Sequence, residues 1–79
     1  MTGEIYKIIT VNGKQVKCID EIDGFTLEIG GQEYHVYADV DNSTHVDLIV
    51  GDERKYIGKT NNQWTGDEEE AAKFILGSL

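Results

Sequence analysis

Short runs of β-branched and aromatic residues recur between turn pairs at nearly even spacing, and the last segment changes from a period of two to a helical one. With a length of 79 residues, this predicts a single α+β domain over 1–79. Its expected form is a six- to seven-stranded antiparallel meander (1–65), strongly twisted or barrel-like, with one C-terminal helix (66–79) packed on it. A chain of this size buries about 60% of its unfolded surface. That supplies one modest core, so function is expected on a face, a rim or a shallow pocket.

The turn pairs are Asn12-Gly13, Asp23-Gly24, Gly30-Gly31, Asp41-Asn42, Gly51-Asp52 and Asn61-Asn62. Between them the strands run Glu4 to Val11, Lys14 to Ile22, Phe25 to Ile29, Gln32 to Ala38, His45 to Val50 and Arg54 to Thr60, with a stub around Gln63 to Thr65. Thr65 with Glu68, or Asp67 with Glu70, offers a helix start, and either puts acids at the positive end of the helix dipole. Ala71, Ala72, Phe74, Ile75, Leu76 and Leu79 then share one helical face, which lies on the sheet. Gly77 reads as the C-terminal cap, and Glu69 with Lys73 as a pair on the wet side.

Two-residue loops at the first three turns set Ile9 opposite Val16, Ile22 opposite Phe25 and Leu27 opposite Tyr34. One face then collects Ile5, Ile9, Val11, Val16, Cys18, Ile22, Phe25, Leu27, Ile29, Tyr34 and Val36, with Val46, Leu48 and Val50 from the fifth strand. This is the expected core. Lys7 and Asp20 fall on it too, which suggests a β-bulge in one of the first two strands or a pair near the sheet edge. Trp64 is expected to plug the corner between sheet and helix.

The opposite face carries Glu4, Tyr6, Ile8, Lys17, Ile19, Glu21, Thr26, Glu28, Glu33, His35 and Tyr37. On this register Glu4 faces Glu21 and Glu28 faces Glu33, and like charges directly opposite each other destabilise a sheet. Stability alone would not choose them. Glu4, Tyr6, Glu21, Glu28, Glu33, His35 and Tyr37 are therefore the candidate partner-binding residues, mixing carboxylates with aromatic surface as an interface does.

Composition narrows the partner. The formal net charge is −8, from 15 acidic against 7 basic side chains, which excludes direct binding to a nucleic-acid backbone and favours basic protein surfaces. The start of the chain lacks the basic and apolar regions of a secretory leader, and no apolar stretch is long enough to cross a membrane. A lone cysteine fits a reducing, cytoplasmic setting. In size and charge the chain resembles, in general type, the small phage-borne inhibitors of host defence that block nucleic-acid-binding enzymes. That resemblance is one of composition, without a shared motif, and it implies a nucleic-acid mimic acting on a nucleic-acid-binding protein.

No catalytic, cofactor or metal site is expected. Asp39-Val40-Asp41-Asn42-Ser43 begins like a calcium loop, but its sixth position is Thr44 and its twelfth Val50. His35 and His45 lack any zinc-ligand spacing, and Cys18 sits on the core face as a small hydrophobe. The leading expectation is thus a non-enzymatic inhibitor or adaptor that occludes a basic surface of a partner protein. A second is a domain that binds or sequesters a small ligand or nucleotide, stacking it on Tyr34, Tyr37, Tyr56 or Trp64 and holding its charge with Lys7, Lys17, Arg54, Lys55 or Lys59. The sheet edges left after the helix docks also offer a seam for a homodimer.

Overall fold

The computed structural model describes residues 6–21 and 23–78. Six antiparallel strands form one sheet in chain order: β1 (Tyr6–Val11), β2 (Lys14–Glu21), β3 (Gly24–Ile29), β4 (Gln32–Ala38), β5 (Ser43–Val50) and β6 (Glu53–Gln63). The helix α1 (Glu68–Ser78) packs on one face of it. Glu4, Ile5, Ile22 and Leu79 lie outside the described residues.

Asn12-Gly13 and Gly30-Gly31 have positive φ at both positions, 52° and 78°, 58° and 83°. This is the primed turn geometry that matches strand twist, and it fixes Ile9 opposite Val16 and Leu27 opposite Tyr34 as expected. The second hairpin differs. Phe25 faces Asp20 and Glu21 faces Gly24, so Gly24 belongs to β3 and not to the turn. Gly24 serves another purpose: a Cβ there would run into the carbonyl oxygen of Val36 on β4. Glycine is required by the close approach of two strands. The register slips by two residues, an even number, so every side chain of β2 and β3 keeps its predicted face.

β5 begins at Ser43, two residues before the expected start, and β6 runs on to Gln63; Trp64 and Thr65, expected in a seventh strand, lie outside any strand. β6 carries the irregularities, with register shifts opposite Ser43/His45 and Val46/Asp47, and the second leaves Ile57 as the extra residue between Tyr56 and Gly58. No such shift interrupts the pairing of β1 with β2. Lys7 is accommodated as an edge residue instead, its ammonium 3.0 Å from Glu68 at the start of α1.

The core comprises Val11, Val16, Cys18, Phe25, Leu27, Ile29, Tyr34, Val36 and Val46 from the sheet with Ala71, Ala72 and Ile75 from the helix. Ile9, Leu48, Trp64, Phe74 and Leu76 flank it, and Trp64 fills the corner as expected, 5.6 Å from the Phe25 ring. Val50 does not join. It is 55% exposed, at the end of β5 beside the Gly51 turn.

The sheet stays open rather than closing into a barrel. α1 lies across its inner face, with Glu68 paired to Lys7 on β1 and Phe74 approaching Gly58 on β6. Asp67 caps the helix, its Oδ1 accepting from the N–H groups of Glu69 (3.0 Å) and Glu70 (3.4 Å). At the other end Gly77 stands inside the helix without a positive φ, so it is not a left-handed cap; the helix simply runs one residue further. Glu69 and Lys73 are both exposed, and among the described residues no ion pair joins them.

Candidate interaction face

The face away from α1 is ordered in three rows that follow from strand pairing. One runs Ile8, Lys17, Glu28, Glu33, Ile49, Arg54 across all six strands. The next runs Tyr6, Ile19, Thr26, His35, Asp47, Tyr56. The third runs Glu21, Gly24, Tyr37, His45, Lys59. All the candidate residues that are described, Tyr6, Glu21, Glu28, Glu33, His35 and Tyr37, therefore share a face. Glu4 and its expected pairing with Glu21 lie outside the described residues.

The rows split this face into two environments. Around β4 and β5 four rings form a ladder, His35, Tyr37, His45 and Tyr56, with successive centroids 5.5, 5.6 and 5.7 Å apart. Acids bind its edges. His35 Nε2–H donates to Asp23 at 3.4 Å, and the Tyr37 hydroxyl donates to Asp47 Oδ1 at 3.3 Å. His45 Nε2–H donates to Asp41 Oδ1 at 3.2 Å, and its Nδ1 lies 2.8 Å from the Tyr56 hydroxyl. Lys59 closes the group on the other oxygen of Asp41, at 3.5 Å.

These contacts set the local electrostatics. The backbone N–H of Ser43, with His45 beside it, holds the Asp41 carboxyl well below the usual carboxylate range. Burial, with the Asp47 carboxylate next, pushes the Tyr37 phenol above its ordinary value. His35 is only 3% exposed and Asp47 is buried, so the inner part of this half of the face is a satisfied polar network, with Tyr56 exposed at its rim. Of the candidate residues, His35 and Tyr37 belong to it.

Glu21, Glu28 and Glu33 form the other environment. Glu21 is exposed and accepts from Thr26 Oγ1 at 3.0 Å. Glu28 is half-buried and stands directly opposite the exposed Glu33, as expected. Lys17 sits on the other flank of Glu28, yet its ammonium lies over the Tyr6 ring, 4.3 Å from the centroid, and makes no ion pair with Glu28. Two carboxylates thus face one another with nothing charged bound to either among the described residues. Tyr6 and Ile8, 51% and 56% exposed, extend the patch to the sheet edge.

His45, Asp47 and Tyr56 were not among the predicted partner-binding residues, Tyr56 being considered only for stacking a small ligand. Alternation along β5 carries the signal for the first two, because Val46 and Leu48 inward put His45 and Asp47 outward. Tyr56 was hidden by the extra residue at Ile57.

The residues considered for a small ligand do not converge. Tyr34 is buried in the core, Trp64 packs on Phe25, and Tyr37 has a histidine ring on each side. Lys7 and Lys17 lie at one edge of the sheet, and Arg54, Lys55 and Lys59 at the other. A cleft of about 320 Å³ opens between β1 and the start of α1, lined by Tyr6, Lys7, Cys18, Asp20, Gly66 and Glu68. Burial, then the charge of Glu68, pushes the Cys18 thiol upward, which keeps it protonated and a poor nucleophile. Among the described residues no three His, Cys, Asp or Glu side chains gather as a metal site, and no helix is long and apolar enough to cross a membrane. No family model matches this chain, and no similarity to a curated protein or to a solved structure was found.

Proposed function

We propose that the chain is a non-catalytic acidic binding protein, an inhibitor or adaptor whose carboxylate patch covers a basic surface of a partner protein. The observation that carries this reading is Glu28 facing Glu33 with no Lys, Arg or His side chain paired to either among the described residues. Such a pair costs a few tenths of a kcal/mol to about 1 kcal/mol in the isolated sheet. A guanidinium or ammonium placed between the two carboxylates reverses that sign and gains charge-assisted hydrogen bonds. The partner suited to it is one whose Arg or Lys side chains normally hold phosphate, and the mechanism is occlusion of those side chains. Net charge supplies steering, and Tyr6 and Ile8 supply apolar area at the margin.

The test is retention of a basic protein on the immobilised chain, read through a salt gradient beside the variant Glu28→Lys/Glu33→Lys. Retention that weakens steeply with salt and is lost in the double variant is the expected result. Equal retention by the double variant, or binding indifferent to salt, overturns it.

A further inference from the structure

The two edges of the sheet are built differently. β6 carries the exposed bases Arg54, Lys55 and Lys59 and is broken by the extra residue at Ile57. Lysines and bulges are the devices that keep an edge strand from pairing with another chain. β1 has neither. Its register with β2 is regular, Tyr6 and Ile8 are more than half exposed, and its one charged side chain, Lys7, is held by Glu68.

Hairpin geometry gives the orientation of the backbone of β1. A two-residue turn is closed by a hydrogen-bonded pair, here Val11 with Lys14, so Val11, Ile9 and Lys7 bond to β2. Tyr6, Ile8 and Thr10 then turn their N–H and C=O groups to the open side. Charge restricts what can approach. Of the seven elements, β1 alone contains neither Asp nor Glu. It is the place where a second chain of net charge −8 meets the least repulsion.

We propose that β1 is the association edge for a second copy of this chain, the two β1 strands pairing antiparallel about a two-fold axis at Ile8. In that register Ile8 meets Ile8 of the second copy and Tyr6 meets Thr10, an aromatic and β-branched pairing that sheets favour. Lys7 falls opposite Ile9. Moving the axis to Lys7 would set the two Lys7 side chains against each other. A six-residue edge falls short of the ~1,000 Å² expected of a lasting interface, so the dimer is a reversible one. Glu28 and Glu33, two and three strands away, stay uncovered, so this seam stands or falls separately from the acidic patch.

Sedimentation velocity of the full chain over rising concentration, in low and high salt, tests the association, with circular dichroism verifying that each variant is folded. The expected result is a mass that climbs towards twice that of one chain, more readily in high salt. Ile8→Lys should abolish it, whereas Tyr56→Lys on the other edge should leave it unchanged. Ile8→Cys should form a disulfide-linked dimer under mild oxidation, since residues facing across a hydrogen-bonded pair lie about 5.5 Å apart, within disulfide range. The parent chain, with Cys18 buried, should not. A chain that stays monomeric at every concentration, including one that instead takes up a foreign strand at β1, overturns the proposal. So does a dimer that Tyr56→Lys abolishes and Ile8→Lys leaves intact, or a folded Ile8→Cys variant that does not cross-link.

Discussion

Replacing Glu33 by glutamine keeps the size of the side chain and removes one of the two charges that face each other across β3 and β4. With opposed Cβ atoms about 5 Å apart and the carboxylates splayed to ~7 Å, their repulsion in a water-like dielectric is about 0.6 kcal/mol. Half-burial of Glu28 raises that figure and salt lowers it. In a domain of this length each kcal/mol moves the midpoint of thermal unfolding by roughly 4–8 °C, so Glu33→Gln should raise Tm by roughly 2–5 °C at neutral pH and low salt. Circular dichroism melts near 0.01 M and 1 M salt measure it, and the gain should shrink at the higher salt, where the Debye length is about 3 Å. The same variant should bind a basic partner less well. A Tm that falls or stays still at low salt, or a gain that salt does not diminish, would refute the electrostatic account of this pair.

Gly24→Ala should destabilise by about 1–3 kcal/mol or more in urea titration, because the new Cβ meets the Val36 carbonyl, whereas an ordinary strand glycine gains from the same change. Asp67→Ala should cost about 1 kcal/mol in the same assay through loss of the cap on Glu69 and Glu70. Leu27→Ala, at the fully buried centre of the sheet, should cost about 2–5 kcal/mol. On the alkaline side Tyr37 ionises later in the folded chain than in the unfolded one, so its contribution is intact below the ordinary value near 10 and lost as pH rises through the folded value. A phenolate absorbance titration should show a late-ionising component that Tyr37→Phe removes.

Much of this architecture is legible because strand pairing has a period of two. The predicted Ile22-to-Phe25 register was displaced by two residues and still assigned Val16, Cys18, Leu27 and Val36 to the core, since only an odd slip exchanges the faces. What stayed hidden depends on contacts that no local pattern encodes. Gly24 has the appearance of a turn residue, and its reason lies on β4, twelve residues further along. Ile57 interrupts the alternation of β6, which conceals Tyr56 beside His45. Within the candidate face, the Glu28 and Glu33 pairing was readable from one glycine turn. The burial of His35 was not, because its ring meets Tyr37, two residues along the same strand, and Asp23 in a distant turn.

Chain order bears on how the molecule is made. Every strand pairs with its neighbour in sequence, so the sheet assembles by successive hairpins with small loop-closure cost and low contact order. The helix that covers the inner face follows all six strands. During synthesis the side chains of Val16, Leu27, Val36 and Val46 must therefore wait uncovered until Ala71, Ala72 and Ile75 arrive. The acids of the strands are already present in that interval, and like-charge repulsion between them opposes aggregation when the apolar faces are most open.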